Sequence, residues 1–305
     1  MKRGNAARFG ASVTLAAMVT AGFPWTSVLA GWSISAILAL IAPVGTGRIG
    51  RVPAALAGIM ALPVTAAVLL GADRAFPEET TFPFVSLALL AVLFRAMLGR
   101  REGLERVSVL LGIFLLGILG TVTVWGLMDV KWTENLPELP AAWTVLLSAS
   151  AGIPWWGAGI RERKGGAWLG ASAGISLGLS LLTRGVLGRA LAAWEPAPLY
   201  RAVQTIRILG TLQRLEAFLA GAVLMGAMIL LLWMGEMILS AGEIFLGRPM
   251  KTPEKGGLLL AAFLLEWVAR VLPPEILVPV ETAFWGFLPA FALGVVELGK
   301  FEKRG

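Results

Sequence analysis

The chain has 305 residues, of which 57% are hydrophobic and 15% charged, and 26 basic against 19 acidic residues give a net charge of +7. A soluble domain cannot hide that much apolar surface, so the composition indicates a protein with several membrane spans. The absence of cysteine and histidine excludes disulfides, thiolate nucleophiles, histidine proton relays and the usual zinc sites, and no aromatic and basic stripe indicates nucleic-acid binding.

Apolar runs of spanning length predict an all-α integral membrane protein with ten transmembrane helices in a single domain. The first run follows the basic head "MKRGNAAR" and is interrupted by Gly22 and Pro24, so we interpret it as an uncleaved span. The stretch "LAGWS" is expected to be a very short connection to the second span, and the eighth helix is expected to continue to about Phe245. The predicted spans are about 9–30, 32–46, 53–71, 82–98, 104–127, 141–160, 167–187, 214–240, 257–272 and 278–298.

The distribution of charge predicts the orientation of these spans. Most of the 26 basic residues share one side if both termini are cytoplasmic, whereas two short loops on the other side are acidic. The positive-inside rule therefore predicts an even number of spans with both termini in the cytoplasm. A cluster of arginines between the seventh and eighth spans, in residues 188–211, indicates an amphipathic helix outside the membrane.

A five-residue word occurs twice, as "AGFPW" at residues 21–25 and as "AGIPW" at residues 151–155. The two words lie in predicted spans 1 and 6, so five spans separate them. An odd number of spans per repeat means that the halves enter the membrane in opposite senses, which predicts a five-plus-five inverted repeat of about 7–127 and about 140–300. Because glycine and proline weaken helices, helices 1 and 6 are predicted to be broken near the bilayer midplane and to face one shared cavity.

Broken helices present free backbone amides, carbonyls and helix ends to a ligand. The two words carry no ionisable side chain, which suits a small zwitterion such as an amino acid. The alternative is ordinary helix packing, because glycine and proline are common in membrane helices. The predicted substrate-binding residues are Gly22, Phe23, Pro24, Trp25, Gly152, Ile153, Pro154 and Trp155.

Ionisable residues inside spans are costly and commonly functional. Glu236, in "LLWMGEMILS", is the candidate for ion coupling, because a buried carboxylate can carry a proton or meet a cation; the alternative is a structural hydrogen bond to a neighbouring helix. Glu266 and Glu281 have less positional support. No nucleophile–base pair, metal cluster or phosphate loop is evident, so we predict no enzymatic activity, no catalytic residue, no metal and no cofactor.

Several segments taken in order resemble one family. They are the first helix pair "AGFPWTSVLAGWSISAILAL", the loop and helix "GRREGLERVSVLLGIFLL" with Gly99, Glu102 and Arg106, the segment "DVKWTENLPELPAAW" with Asn135, Leu136 and Pro137, the entry "IRILGTLQRLEAFL" with Arg214 and Glu216, and the tail "FLPAFALGVVELGKFEKRG". Together they resemble the endospore germination permeases, the B subunits of nutrient germinant receptors, within the amino acid–polyamine–cation transporter superfamily.

The resemblance implies a transporter-like fold in the spore inner membrane or the bacterial cell membrane. It also implies a role in sensing a nutrient such as an amino acid, with an A subunit and a lipoprotein C subunit as partners. The chain departs from the family in its short loops and its single tyrosine. The alternatives are a stand-alone secondary amino-acid permease coupled to protons or sodium, and a membrane enzyme or passive scaffold.

Overall fold

The computed structural model describes residues 3–41, 51–74, 83–99, 101–155, 164–194, 198–205 and 215–272. Every regular element within these ranges is helical, which agrees with the predicted all-α class. A π-helical stretch, Ala16–Thr20, extends α1, and 3-10 turns form at Trp132–Asn135 and Ile153–Trp155. The α-helices are α1 (Arg3–Leu15), α2 (Trp25–Ile41), α3 (Arg51–Arg74), α4 (Phe84–Leu98), α5 (Arg101–Gly126), α6 (Ala142–Ser150), α7 (Gly165–Leu187), α8 (Arg189–Trp194), α9 (Pro198–Thr205), α10 (Leu215–Leu246) and α11 (Thr252–Val271).

Two helices in the described ranges are long and apolar enough to cross a membrane, and they lie at Gly165–Leu187 and Leu224–Leu246. Four shorter apolar helices accompany them, at Trp25–Leu40, Ala61–Asp73, Phe84–Leu98 and Leu110–Val124. These helices make an association with a membrane plausible on composition, while the ten-span count stays a prediction. The predicted tenth span, at 278–298, falls outside the described residues.

Helix α10 forms the centre of the helical core. It packs against α1, α3, α4 and α5. Its middle section is almost completely enclosed, because Met228 through Met234 are all buried. The helix continues to Leu246, which confirms the expected extension to about Phe245. Since this segment is apolar on all sides, neighbouring helices can surround it completely.

The predicted boundary between the first two spans is wrong. Gly31, in the middle of "LAGWS", lies inside α2 rather than in a connection. A glycine is needed at this position because α6 comes very close: a Cβ on Gly31 would lie 2.6 Å from the carbonyl oxygen of Val145. The chain leaves the helix earlier, at residues 21–24, where Pro24 has no backbone N–H to continue the ladder.

Helices α2 and α6 run side by side in the same direction. Contacts recur every fourth residue along both segments, and residue numbers rise together on the two sides of the interface, which shows that the helices are parallel. Small and hydroxyl-bearing side chains fill these positions, which allows the backbones to approach closely. The pairs are Ser27 with Thr144, whose hydroxyls lie 2.8 Å apart, Gly31 with Ser148, and Ser35 with Gly152.

The first word reverses the chain. The π-helical stretch after α1 packs against α6, whereas Ile153–Trp155, which follows α6, packs against α1 itself. Helix α6 therefore runs opposite to α1, and so does α2, which is parallel to α6. The prediction that the chain is unwound at the first word is confirmed, since residues 21–24 are not helical. The expectation that helix 1 continues across this break within one span is wrong, because α1 ends at the first word and α2 returns from it.

The second word also interrupts a helix. Helix α6 ends at Ser150, a turn follows, and the chain then forms the 3-10 turn Ile153–Trp155. The prediction that the helix unwinds at "AGIPW" is confirmed. The next described residue is Lys164, and α7 begins directly after it.

Candidate functional site

The polar groups around the first word are engaged by the protein. The indole Nε1–H of Trp25 donates to the carbonyl oxygen of Asn135 at 3.1 Å. The carbonyl oxygen of Phe23 accepts a hydrogen bond of 2.7 Å from Ser180 on α7, and the ring of Phe23 packs edge-on against Trp143. Gly22 is needed for close packing, since a Cβ there would overlap the backbone of Ala192. These contacts give the first word a structural role.

The loop before α6, residues 134–140, binds both the first word and α7. Its Glu138 carboxylate lies 2.6 Å from Arg184 and 3.0 Å from Arg189. The side-chain amide of Asn135 donates to the carbonyl oxygen of Leu181 at 2.9 Å. Arg184 is only 5% exposed, so its charge depends on Glu138 for compensation. This loop, which contains the segment "ENLPELP", therefore ties the start of α2 to the end of α7.

The second word lies against the far part of α2. A Cβ on Gly152 would overlap the hydroxyl of Ser35 and would lie 3.4 Å from the ring of Trp32. Trp155 is completely buried, and its backbone N–H donates to the carbonyl oxygen of Gly152 at 2.9 Å. Because residue 152 has no side chain, Trp32 of α2 can pack against the short segment that also contains Trp155.

Both tryptophans have an indole donor that the described residues leave unsatisfied. The indole Nε1 atoms of Trp32 and Trp155 are buried and have no hydrogen-bond partner among the described residues. The buried hydroxyl of Ser12 on α1, the helix against which Ile153–Trp155 packs, also lacks one in this part of the chain. A buried donor without an acceptor is unfavourable, so native structures normally supply a protein group, a water or a ligand. The second word therefore has the chemistry to bind a molecule that carries acceptor oxygens.

The two words do not meet. Gly152 contacts α2 at Ser35, which is ten residues beyond Trp25. At a rise of about 1.5 Å per residue, the words are separated by about 15 Å along the α2 axis. The expectation that all eight predicted residues face one shared cavity is therefore wrong. Their assignment as ligand-binding residues stays a prediction, and the structure favours Gly152 and Trp155 over Gly22 and Trp25.

Glu236 is half-buried on α10. The adjacent Gly235 packs against Leu93 and Met97 of α4. This places the predicted ion-coupling carboxylate on the central helix of the core, and its role stays a prediction. Glu266 on α11 is more deeply buried, with no exposed surface.

Sequence reasoning missed Trp32, Ser35 and Ser12 as members of the candidate site. A usable signal was present in the four-residue spacing of small residues. Ser27, Gly31 and Ser35 on α2 have the same spacing as the residues that face them, Thr144 and Ser148 on α6 and Gly152 just beyond its end. Such spacing is typical of closely packed membrane helices. Aligning the two patterns places Gly152 opposite Ser35, one turn from Trp32.

No protein-family model matches this chain, and no curated protein matches it in sequence. The similarity to the germination permeases therefore depends on the short motifs described above. Over its described residues the chain is all-helical, with an interrupted helix and, beside the interruption, buried indole donors that lack a partner in that part of the chain.

Proposed function

We propose that this protein is a ten-span membrane protein of transporter-like architecture that binds a small nutrient with a carboxylate group, such as an amino acid, beside the second word. In this proposal it acts as a permease-like subunit of a spore germinant receptor, together with an A subunit and a lipoprotein C subunit. The observation that carries the binding site is the pair of buried indole donors close to Gly152: Trp32 packs against this residue, and the backbone N–H of Trp155 donates to its carbonyl oxygen.

Exposed apolar side chains support the membrane part of the proposal. The outward faces of several helices present large hydrophobic residues to the surroundings, a pattern that soluble monomers avoid over large areas. In a bilayer these apolar faces contact lipid hydrocarbon instead of water, so their exposure is not unfavourable. Examples are Ile37 and Leu40 on α2, Leu87 and Val92 on α4, Leu110, Ile113 and Phe114 on α5, and Leu260, Leu264 and Val268 on α11.

The chemistry of the donors supports the ligand class. An indole N–H is a donor only, so two of them favour acceptors such as carboxylate oxygens. A backbone unwound at residues 151–155 has further polar groups beside them. The described residues of the second word carry no charge, which favours a ligand whose own charges balance, as those of an amino acid do.

Binding is tested on the purified full chain with a panel of amino acids, nucleosides and sugars, read as thermal stabilisation and as direct affinity. Trp155→Phe and Trp32→Phe each remove one indole donor. We expect each to weaken binding of the stabilising ligand by about tenfold or more, since a hydrogen bond to a charged group contributes about 1.5–3 kcal/mol.

Two controls separate binding from stability. Trp132→Phe changes an exposed residue and should leave affinity unchanged. Trp25→Phe removes a donor that is already bonded to Asn135, so it should lower the unfolding temperature without lowering affinity. A ligand whose affinity depends on Trp25 and not on Trp155 would contradict the assignment of the site to the second word.

The sensing role is tested separately from binding. A receptor subunit should bind its ligand without sustained uptake when reconstituted alone in liposomes, and its deletion should impair germination. Rapid uptake of the bound amino acid by the isolated protein would instead support the stand-alone permease. The buried carboxylate of Glu266, which is paired with Arg270, favours this second function, because ion-coupled transporters keep such groups within their bundles.

A further inference from the structure

Three charged residues meet between α3, α4 and α11. Arg270 forms an ion pair with Asp73 of α3, and its Nε donates to Glu266 Oε1 at 2.6 Å. One guanidinium therefore serves two carboxylates, which leaves one excess negative charge when both are ionised. Glu266 has no exposed surface, whereas the side chains of Asp73 and Arg270 are 13% and 24% exposed.

The donors around Glu266 all approach the same oxygen. The single hydroxyl proton of Ser86 on α4 is shared between two acceptors, Oε1 of Glu266 at 3.4 Å and the carbonyl oxygen of Leu69 at 3.2 Å. Oε2 is buried and has no partner among the described residues. A carboxylate with one bare buried oxygen is poorly solvated, so the excess negative charge of the group is costly to keep on Glu266.

We propose that Glu266 Oε2 binds a proton, which makes the group of Asp73, Glu266 and Arg270 electrically neutral. The proton forms an O–H bond at Oε2, and Oε1 continues to accept hydrogen bonds from Ser86 and Arg270. Asp73 remains ionised and paired with Arg270. A metal ion is a poorer fit, because it needs several oxygen ligands and the described residues contain no group of three acidic side chains suited to one.

Within the part of the chain that the structure describes, the surroundings of Glu266 contribute no other charge that compensates it. Of the helices packed against α11, α3 contributes Asp73 and α4 contributes Ser86, which is uncharged. Arg95, also on α4, lies nine residues from Ser86, about 13 Å along the helix, and is exposed. On α11 itself, Glu254 and Lys255 lie more than ten residues away at the opposite end. Among the described side chains, Asp73 and Arg270 are thus the charged groups that set the protonation of Glu266.

The experiment is infrared difference spectroscopy of the purified full chain between about pH 5 and about pH 9, a range above the ordinary pKa of glutamate of about 4.3. The wild type should show the C=O stretch of a protonated carboxyl at neutral pH, with a downshift in D₂O. Glu266→Gln should abolish this band. Glu254→Gln, an exposed carboxylate on the same helix, should leave it unchanged.

Two further variants keep the test decisive if Glu266→Gln does not fold. Glu266→Asp should shift the band rather than remove it. Asp73→Asn should abolish the band at neutral pH, because Arg270 then serves Glu266 alone and the excess negative charge disappears. The proposal is wrong if the wild type has no such band, if the band survives in Glu266→Gln, or if it survives in Asp73→Asn.

A sodium ion is distinguished in the same measurement. Sodium chloride is compared with choline chloride at constant pH. If sodium removes the carboxyl band, a metal ion displaces the proton and the site is a sodium site, which overturns the proposal. The inference does not depend on the ligand site at the second word, since the Glu266 band can be present whether or not Trp32 and Trp155 bind a nutrient.

Discussion

Replacing Gly31 by alanine should destabilise the protein, because α2 and α6 approach each other most closely there. The new Cβ would lie 2.6 Å from the carbonyl oxygen of Val145 and 2.7 Å from the backbone nitrogen of Ala149. Both are backbone atoms of α6, so neither can move aside unless the helix shifts. Overpacking of this kind typically costs about 1–3 kcal/mol.

The matched control is Gly117→Ala on α5, where no atom lies within 4 Å of the added Cβ. Both substitutions gain the same intrinsic helix propensity, roughly 1 kcal/mol, so this contribution cancels in the comparison. The remaining difference of about 1–3 kcal/mol corresponds, for a chain of 305 residues, to unfolding temperatures about 2–5 °C apart, with Gly31→Ala the lower. Tryptophan fluorescence during heating in detergent measures both. Equal unfolding temperatures would refute the close parallel packing of α2 and α6.

Three further predictions concern charged and polar contacts. Glu138→Gln should cost about 1–3 kcal/mol, since it leaves Arg184 buried without its partner, and a double-mutant cycle with Arg184→Met should show that the two effects are not additive. The Arg248 guanidinium lowers the pKa of Glu254 to about 2, so the small stabilisation of the wild type over Glu254→Gln should persist above the unfolded pKa of about 4.3 and vanish as the pH falls through about 2. A constant difference across this range would contradict the ion pair. Trp25→Phe should lower stability by about 1 kcal/mol in thermal unfolding, because it removes the hydrogen bond to the loop.

Much of the helical architecture could be predicted from the sequence, because apolar length alone places most helices. The predicted seventh span, about 167–187, corresponds to α7 at Gly165–Leu187, and the fifth, about 104–127, to α5 at Arg101–Gly126. The segment 188–211 contains two short helices, α8 and α9, where one amphipathic helix was expected. Long apolar runs are robust signals since they do not depend on which neighbour covers them.

The first connection could not be predicted because local signals were ambiguous. Both Pro24 and Gly31 weaken a helix, and only the packing decides which one ends it. Gly31 stays helical because α6 lies against it, a contact between residues more than a hundred positions apart. The candidate site was only partly found for a similar reason. Trp32 belongs to it through a neighbouring helix, and its unsatisfied Nε1–H is visible only once the helices are packed.

The pairing of helices supports the proposed inverted repeat in a way that the repeated word alone does not. Such a repeat relates the first helix of one half to the first of the other, and likewise the second helices. The pairing of α2 with α6 should then be matched by a pairing of α1 with α7, again parallel. The structure has this second pair, since α1 and the stretch that follows it advance together with α7. The contacts are Phe9 of α1 with Trp168, Thr20 of the π-helical stretch with Ser176, and Phe23 of the first word with Ser180.

The two words nevertheless differ in the hydrogen bonding of their tryptophans, which is the feature that matters for binding. At the first word the indole of Trp25 is bonded to Asn135, whereas at the second word the indole of Trp155 has no partner among the described residues. Among the differences between the two copies of the motif, the one that bears on binding is therefore the occupancy of the indole donor. If the first copy stabilises a chain reversal and the second binds a ligand, Trp25→Phe and Trp155→Phe must have opposite signatures, one in unfolding temperature and the other in affinity. Similar effects of both variants on affinity would show that the two words act as one site, in spite of the roughly 15 Å between them along α2.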